Sequence, residues 1–161
     1  MADHVDHVLR QWAAACPDLD VSPMAVFGRL SRLTRLVNGE LRRTFAEHDL
    51  DPSSFDVLAT LRRGGRLTPA ELMRSSMITS GAVTQRLDRL EARGLVVRTP
   101  NESDGRGVHV DLTDEGRELI DRALPDHVNA EQRLLAGLTP DQRESLADIL
   151  RRLLVSLGDE A

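Results

Sequence analysis

Residues 79–94 carry the pattern that most narrows the fold. In Thr79-Ser80-Gly81-Ala82-Val83-Thr84-Gln85-Arg86-Leu87-Asp88-Arg89-Leu90-Glu91-Ala92-Arg93-Gly94, the apolar residues Val83, Leu87 and Leu90 fall at i, i+4 and i+7. That spacing predicts a helix with one narrow apolar face, and it turns Ser80, Thr84, Gln85, Asp88 and Arg89 to other sides. Thr79 or Ser80 can cap its start, and Gly94 stands where a left-handed residue ends a helix. Just upstream, Thr68-Pro69-Ala70-Glu71 has the form of a capping box with proline at the first helical position, opening a second short helix through about Arg74. Two short helices joined by a tight turn make a helix-turn-helix. Leu95-Val96-Val97-Arg98-Thr99 then reads as a strand, residues 100–107 as a turn-rich tip, and Val108-His109-Val110-Asp111-Leu112 as a returning strand of alternating polarity. The helix-turn-helix therefore carries a β-hairpin wing.

Apolar-striped helices lie on both sides of this head. Asp3 to Cys16 reads as a short amphipathic helix on Val5, Val8, Leu9, Trp12 and Ala13, ending before Pro17. Ser22-Pro23 caps and opens a longer helix to about His48, striped by Val26, Leu30, Leu33, Val37, Leu41 and Phe45. Asp51-Pro52-Ser53-Ser54 starts the next, which buries Phe55, Leu58 and Leu61 before the breaker Gly64-Gly65. After the wing, Thr113 caps a helix that Pro125 is expected to kink or interrupt. Thr139-Pro140-Asp141-Gln142 is another capping box, and the last helix runs on Leu146, Ile149, Leu150, Leu153, Leu154 and Leu157. The expected fold is mainly α, a winged helix-turn-helix between N- and C-terminal dimerisation helices. Its parts are an extra helix (1–21), a dimerisation helix (22–50), the DNA-binding region (51–113) and C-terminal dimerisation helices (114–161). Surplus stripes at both ends predict burial across a two-fold axis.

Charge points the same way once its distribution is considered. The net charge is −5, and every one of the twenty-one cations is arginine. Between Arg62 and Arg106 nine Arg face five acids, a local balance of +4, while the remainder carries −9. A basic head on an acidic body suits phosphate binding, which depends on the local contact surface. With three Phe, one Trp and no Tyr, Leu, Val and Ala must supply the core, as in helical bundles. No apolar run approaches the length of about 18 residues that a membrane span needs, and nothing resembles a signal peptide. One cysteine, Cys16, makes no disulfide framework, so the expected compartment is the cytoplasm. No phosphate loop, nucleophile motif or coherent metal constellation is present, so no enzyme is expected.

The wing and the helix after it carry Asp104-Gly105-Arg106, a hydrophobic strand, and Leu112-Thr113-Asp114-Glu115-Gly116-Arg117. In this the chain resembles the MarR family of bacterial transcription regulators, from about residue 22 onward. The resemblance implies an intertwined homodimer on double-stranded, inverted-repeat operator DNA. Thr84, Gln85 and Arg89 are the residues expected nearest the major groove, with Gln suited to adenine, Arg to guanine, and Ser80 and Thr84 to bases or phosphates. Arg106 is the expected minor-groove or phosphate contact, and by resemblance Asp104 holds its guanidinium and the wing in shape.

Trp12, the segment 17–23, the run Phe55 to Arg63, Arg86 and Arg98 further resemble the urate-responsive PecS-like subgroup. That resemblance implies a pocket for urate or a related purine anion built from Trp12, Asp56, Arg86 and Arg98, with no cofactor. Trp supplies a stacking face, Arg pairs an anion, and Asp56 would repel it until something moved. Other readings stay open: a different aromatic or organic acid as effector, Cys16 as an oxidant-sensing thiol, a metal at Asp3, His4, Asp6 and His7, or a winged-helix head that docks an acidic protein.

Overall fold

A computed structural model describes residues 2–76, 83–100 and 107–159. Its elements are α1 (His4–Ala15), α2 (Ser22–Ala46), α3 (Pro52–Gly64), α4 (Pro69–Ser75), α5 (Val83–Ala92), β1 (Val96–Pro100), β2 (Val108–Leu112), α6 (Asp114–Leu134) and α7 (Pro140–Ser156). They form two compact units, residues 1–43 and 44–161. The fold is mainly helical with one two-stranded sheet, as expected.

In the first unit, Asp3 caps α1 and Asp6 closes the reciprocal bond to the Asp3 backbone. Arg29 of α2 reaches both carboxylates, at 2.8 Å and 2.6 Å. The backbone N–H groups, with Arg29, hold both acids below the usual carboxylate pKa. These two carboxylates, one arm of the candidate metal set, are thus spent on a helix cap and an ion pair. Gly28 lets α2 approach α1 closely, since a Cβ there would lie 3.2 Å from Val5 Cγ1. The Asp20 carboxylate accepts from the Ser22 backbone N–H at 2.9 Å, so α2 begins at Ser22 itself rather than after it. Val26, Phe27, Leu33 and Leu36 of α2 stay exposed.

The second unit is built around α3. Its Val57, Leu58 and Leu61 are fully buried, together with Leu72 of α4, Leu87 and Leu90 of α5, Val110 of β2 and Ile120 of α6. Phe45, in the last turn of α2, stacks on Phe55 at 4.3 Å, and His127 of α6 packs against both rings. The turn after α2 needs a left-handed residue, and Asp49 supplies it at φ 52°. The α6 helix runs unbroken through Pro125, contrary to the expected interruption. One missing N–H removes one bond from a ladder that carries Ile120, Ala123 and Ala130 into the core, and burial on both sides of the proline prevails. In α7 no residue is buried. No helix among the described residues is long and apolar enough to cross a membrane.

Candidate nucleic-acid interface

Thr68 opens α4 with the expected capping box, its hydroxyl accepting from the Glu71 N–H while the Glu71 carboxylate accepts from Thr68. Leu67 pairs with Val110 through two backbone bonds of 3.0 Å and 2.7 Å, which fastens the entrance of α4 to the wing. At the far end of α5, Gly94 adopts φ 69°. Leu95 N–H donates to the Leu90 carbonyl and Gly94 N–H to that of Glu91, both at 2.9 Å, the Schellman pattern. The chain therefore leaves α5 sharply and enters β1, which pairs antiparallel with β2 from Val96↔Leu112 to Pro100↔Val108. β1 begins one residue later than expected, because Leu95 is spent on the helix stop, and Pro100 ends the strand instead of opening the tip.

The motif Leu112-Thr113-x-x-Gly116 locks the wing to α6. Leu112 is buried, and the Thr113 hydroxyl donates to the Gly94 carbonyl at 2.6 Å while accepting from the Gly116 N–H at 3.0 Å. Gly116 is required sterically: a Cβ there would sit 1.9 Å from the Leu95 carbonyl oxygen.

On this frame α5 buries Val83, Leu87 and Leu90 and leaves the three expected groove residues, Thr84, Gln85 and Arg89, exposed. Ser80, the Thr79 cap, Asp104 and Arg106 lie outside the described residues. Arg86 turns inward. Its side chain is only 16% exposed, and Nη1 donates to Asp51 Oδ2 at 2.8 Å. Asp51 is also the cap of α3, accepting from Ser53 N–H, Ser54 N–H and the Ser54 hydroxyl. Burial pushes the Asp51 pKa up, but the Ser54 bonds and the Arg86 charge outweigh it, and the carboxyl titrates below its ordinary value. Arg98 of β1 reaches Asp88 at 2.7 Å and Glu91 at 2.9 Å, and its backbone N–H donates to Glu91. Asp56 is half-buried on α3. Trp12 lies on α1 in the first unit, 39% exposed. The four residues expected in one pocket thus stand in two units, and both arginines already hold carboxylates.

Linear charge counting missed this engagement. Among the described residues, six of the arginines between 62 and 106 hold internal partners: Arg62 on Asp121, Arg63 on the Ser75 carbonyl, Arg66 on Thr99, Arg93 on the Asp49 carbonyl, and Arg86 and Arg98 as above. Sequence separations such as the 35 residues between Asp51 and Arg86 carry no signal of contact.

Short capped α4, an α5 with an exposed polar face, and an antiparallel hairpin locked against α6 define a winged helix-turn-helix protein that binds DNA. The MarR family model matches residues 48–107. The regulator PecS of Dickeya dadantii (strain 3937) is 40% identical over 152 residues, 92% of each chain. Among solved structures, a mutant MarR from E. coli complexed with operator DNA superposes with a TM-score of 0.75 at 31% identity, over 84% of this chain and 96% of that one. BpsR of Bordetella bronchiseptica, whose DNA binding is regulated by 6-hydroxynicotinic acid, does so with a TM-score of 0.73 at 27% identity, over 80% and 98%. The chain belongs to the MarR family: it is a DNA-binding transcriptional regulator similar to PecS, and not an enzyme.

Proposed function

We propose that two copies of this chain form a repressor on a pseudo-palindromic operator, and that a small anion, urate or a related purine, releases it. The observation that carries the first half is the outward set Thr84, Gln85 and Arg89 on a helix fixed beside a wing. Exposed apolar faces support the pairing of copies: Val26, Phe27, Leu33 and Leu36 on α2, and Ile149, Leu154 and Val155 on α7 with Leu157 just after it. Two heads on a two-fold axis address half-sites about one helical turn apart. Ser80 and Arg106, with Asp104 in the role that the family resemblance implies, complete the proposed contacts.

The ligand half rests on similarity to PecS and on the chemistry of the candidate residues. Trp12 offers a flat face, and Arg86 and Arg98 each hold a carboxylate that a ligand anion could replace. Asp56, a carboxylate, is proposed to repel the incoming anion until something moves. Because Arg86 sits on α5, exchange at its guanidinium acts directly on DNA fit.

A thermal-shift and anisotropy panel of urate, xanthine and 6-hydroxynicotinate tests this. Urate or xanthine should raise the melting temperature and weaken operator binding, and Trp12→Ala should blunt both effects. A response to 6-hydroxynicotinate alone would assign the aromatic-acid class by which BpsR is regulated. No shift across the panel would eliminate the ligand reading and leave the DNA reading intact.

A further inference from the structure

The recognition helix is gripped on both flanks by ion-paired arginines. Successive helical residues are about 100° apart, so taking the buried line of Val83, Leu87 and Leu90 as the inner direction, Arg86 lies about 65° to one side. Glu91 and Asp88 lie about 75° and 130° to the other. Gln85 and Arg89 are left on the outer half. On the first flank Arg86 is fastened to Asp51, itself fixed by three further hydrogen bonds at the start of α3. Among the described residues the buried Arg86 Nε has no hydrogen-bond partner, so packing and the Asp51 carboxylate hold this guanidinium there. On the second flank Arg98 bridges both acids of α5 from β1.

Three apolar side chains on one line resist translation of a helix better than they resist its rotation. A roll of about 20° at a radius of about 6 Å moves an outer side chain by about 2 Å, more than a bidentate base contact tolerates. We propose that Arg86 with Asp51, and Arg98 with Asp88 and Glu91, form a two-sided clamp that sets the roll of α5, making Asp51, Arg86 and Arg98 positioning residues for base recognition. Arg98 also sets its one positive charge against the two carboxylates of the recognition helix, Asp88 and Glu91. The clamp rests on the DNA-binding reading and is independent of any effector.

The test uses full-length protein, an inverted-repeat duplex enriched by the wild-type protein from a random library, and a scrambled duplex. Asp51→Asn keeps a capping oxygen for α3 and removes the charge. Asp51→Asn and Arg86→Gln should each lower the enriched-to-scrambled affinity ratio about tenfold, and the double variant should lose no more than either single one. Arg98→Gln, which touches no helix cap, should lower the ratio similarly, with partial recovery in Arg98→Lys. All affinities are compared well below the lowest melting temperature, so every variant is folded. A different outcome overturns the clamp: if Arg86 is a phosphate contact parked on Asp51, Asp51→Asn tightens both duplexes equally, and Arg86→Gln lowers the logarithmic salt slope by about 0.9 for each bound head, about 1.8 for a pair. Additive losses, or equal losses on both duplexes, overturn it as well.

Discussion

Gln85 and Arg89 are exposed on α5 while their neighbours Arg86 and Asp88 are committed to ion pairs, and this division assigns different phenotypes to adjacent residues. Gln85→Ala or Arg89→Ala should cost about 1–3 kcal/mol on the preferred operator and relax preference at one base position, as selection with the variants would show. Asp51 makes a separate prediction. Its folded pKa is depressed, so its contribution is present above the unfolded value of about 3.9 and lost as pH falls through the folded value. The melting-temperature gap between wild type and Asp51→Asn should therefore be full at pH 7 and close on acidification below about pH 4. A gap that widens in acid would contradict the pairing. At this scale the sequence was legible where a residue acts within its own helix: the periodicity of Val83, Leu87 and Leu90 placed Gln85 and Arg89 outside. It was silent on Arg86 and Arg98, because an arginine reads the same whether it meets a phosphate or a carboxylate many residues away.

Elements were more legible, since caps and stops are local chemistry. Thr68, Asp51, Thr113 and Thr139 all accept backbone N–H bonds at the helix starts that their neighbouring residues predict. The departures occur where tertiary burial competes with a local signal: Pro125 inside a helix anchored by Ile120 and Ala130, and Leu95 drawn into the stop of α5. Gly116 shows what a motif cannot say by itself. It could have been a helix residue of low propensity, yet it is the place where α6 passes over the Leu95 carbonyl. Gly116→Ala should thus behave against helix propensity, destabilising by about 1–3 kcal/mol or more, because backbone rather than a flexible side chain must yield. Denaturant unfolding would read this, and a neutral or stabilising effect would show that the joint between α5, the wing and α6 gives way easily. Since the same joint aims the wing, operator affinity should fall with it.

For the whole molecule, the decisive feature is apolar surface without a partner in one chain. In α7 no residue is buried, and Ile149 and Leu157 are 63% and 72% exposed, although the helix carries a leucine stripe. Proteins rarely expose such a contiguous face unless it is an interface. Ile149→Glu combined with Leu154→Glu alters α7 alone, removes nothing from the core around α3, and places acids on the proposed interface. Sedimentation should shift from dimer to monomer while helical ellipticity stays near wild type. Two linked heads gain affinity through effective concentration, so the monomer should bind an inverted repeat at least about 100-fold more weakly. Each head would still meet its own half-site, so the logarithmic salt slope should fall by about half while the preference set by Gln85 persists. This pattern separates lost pairing from lost folding, which would abolish preference and ellipticity together. A variant that remains dimeric, or a monomer that binds the inverted repeat as tightly as wild type, would take α7 out of the pairing surface.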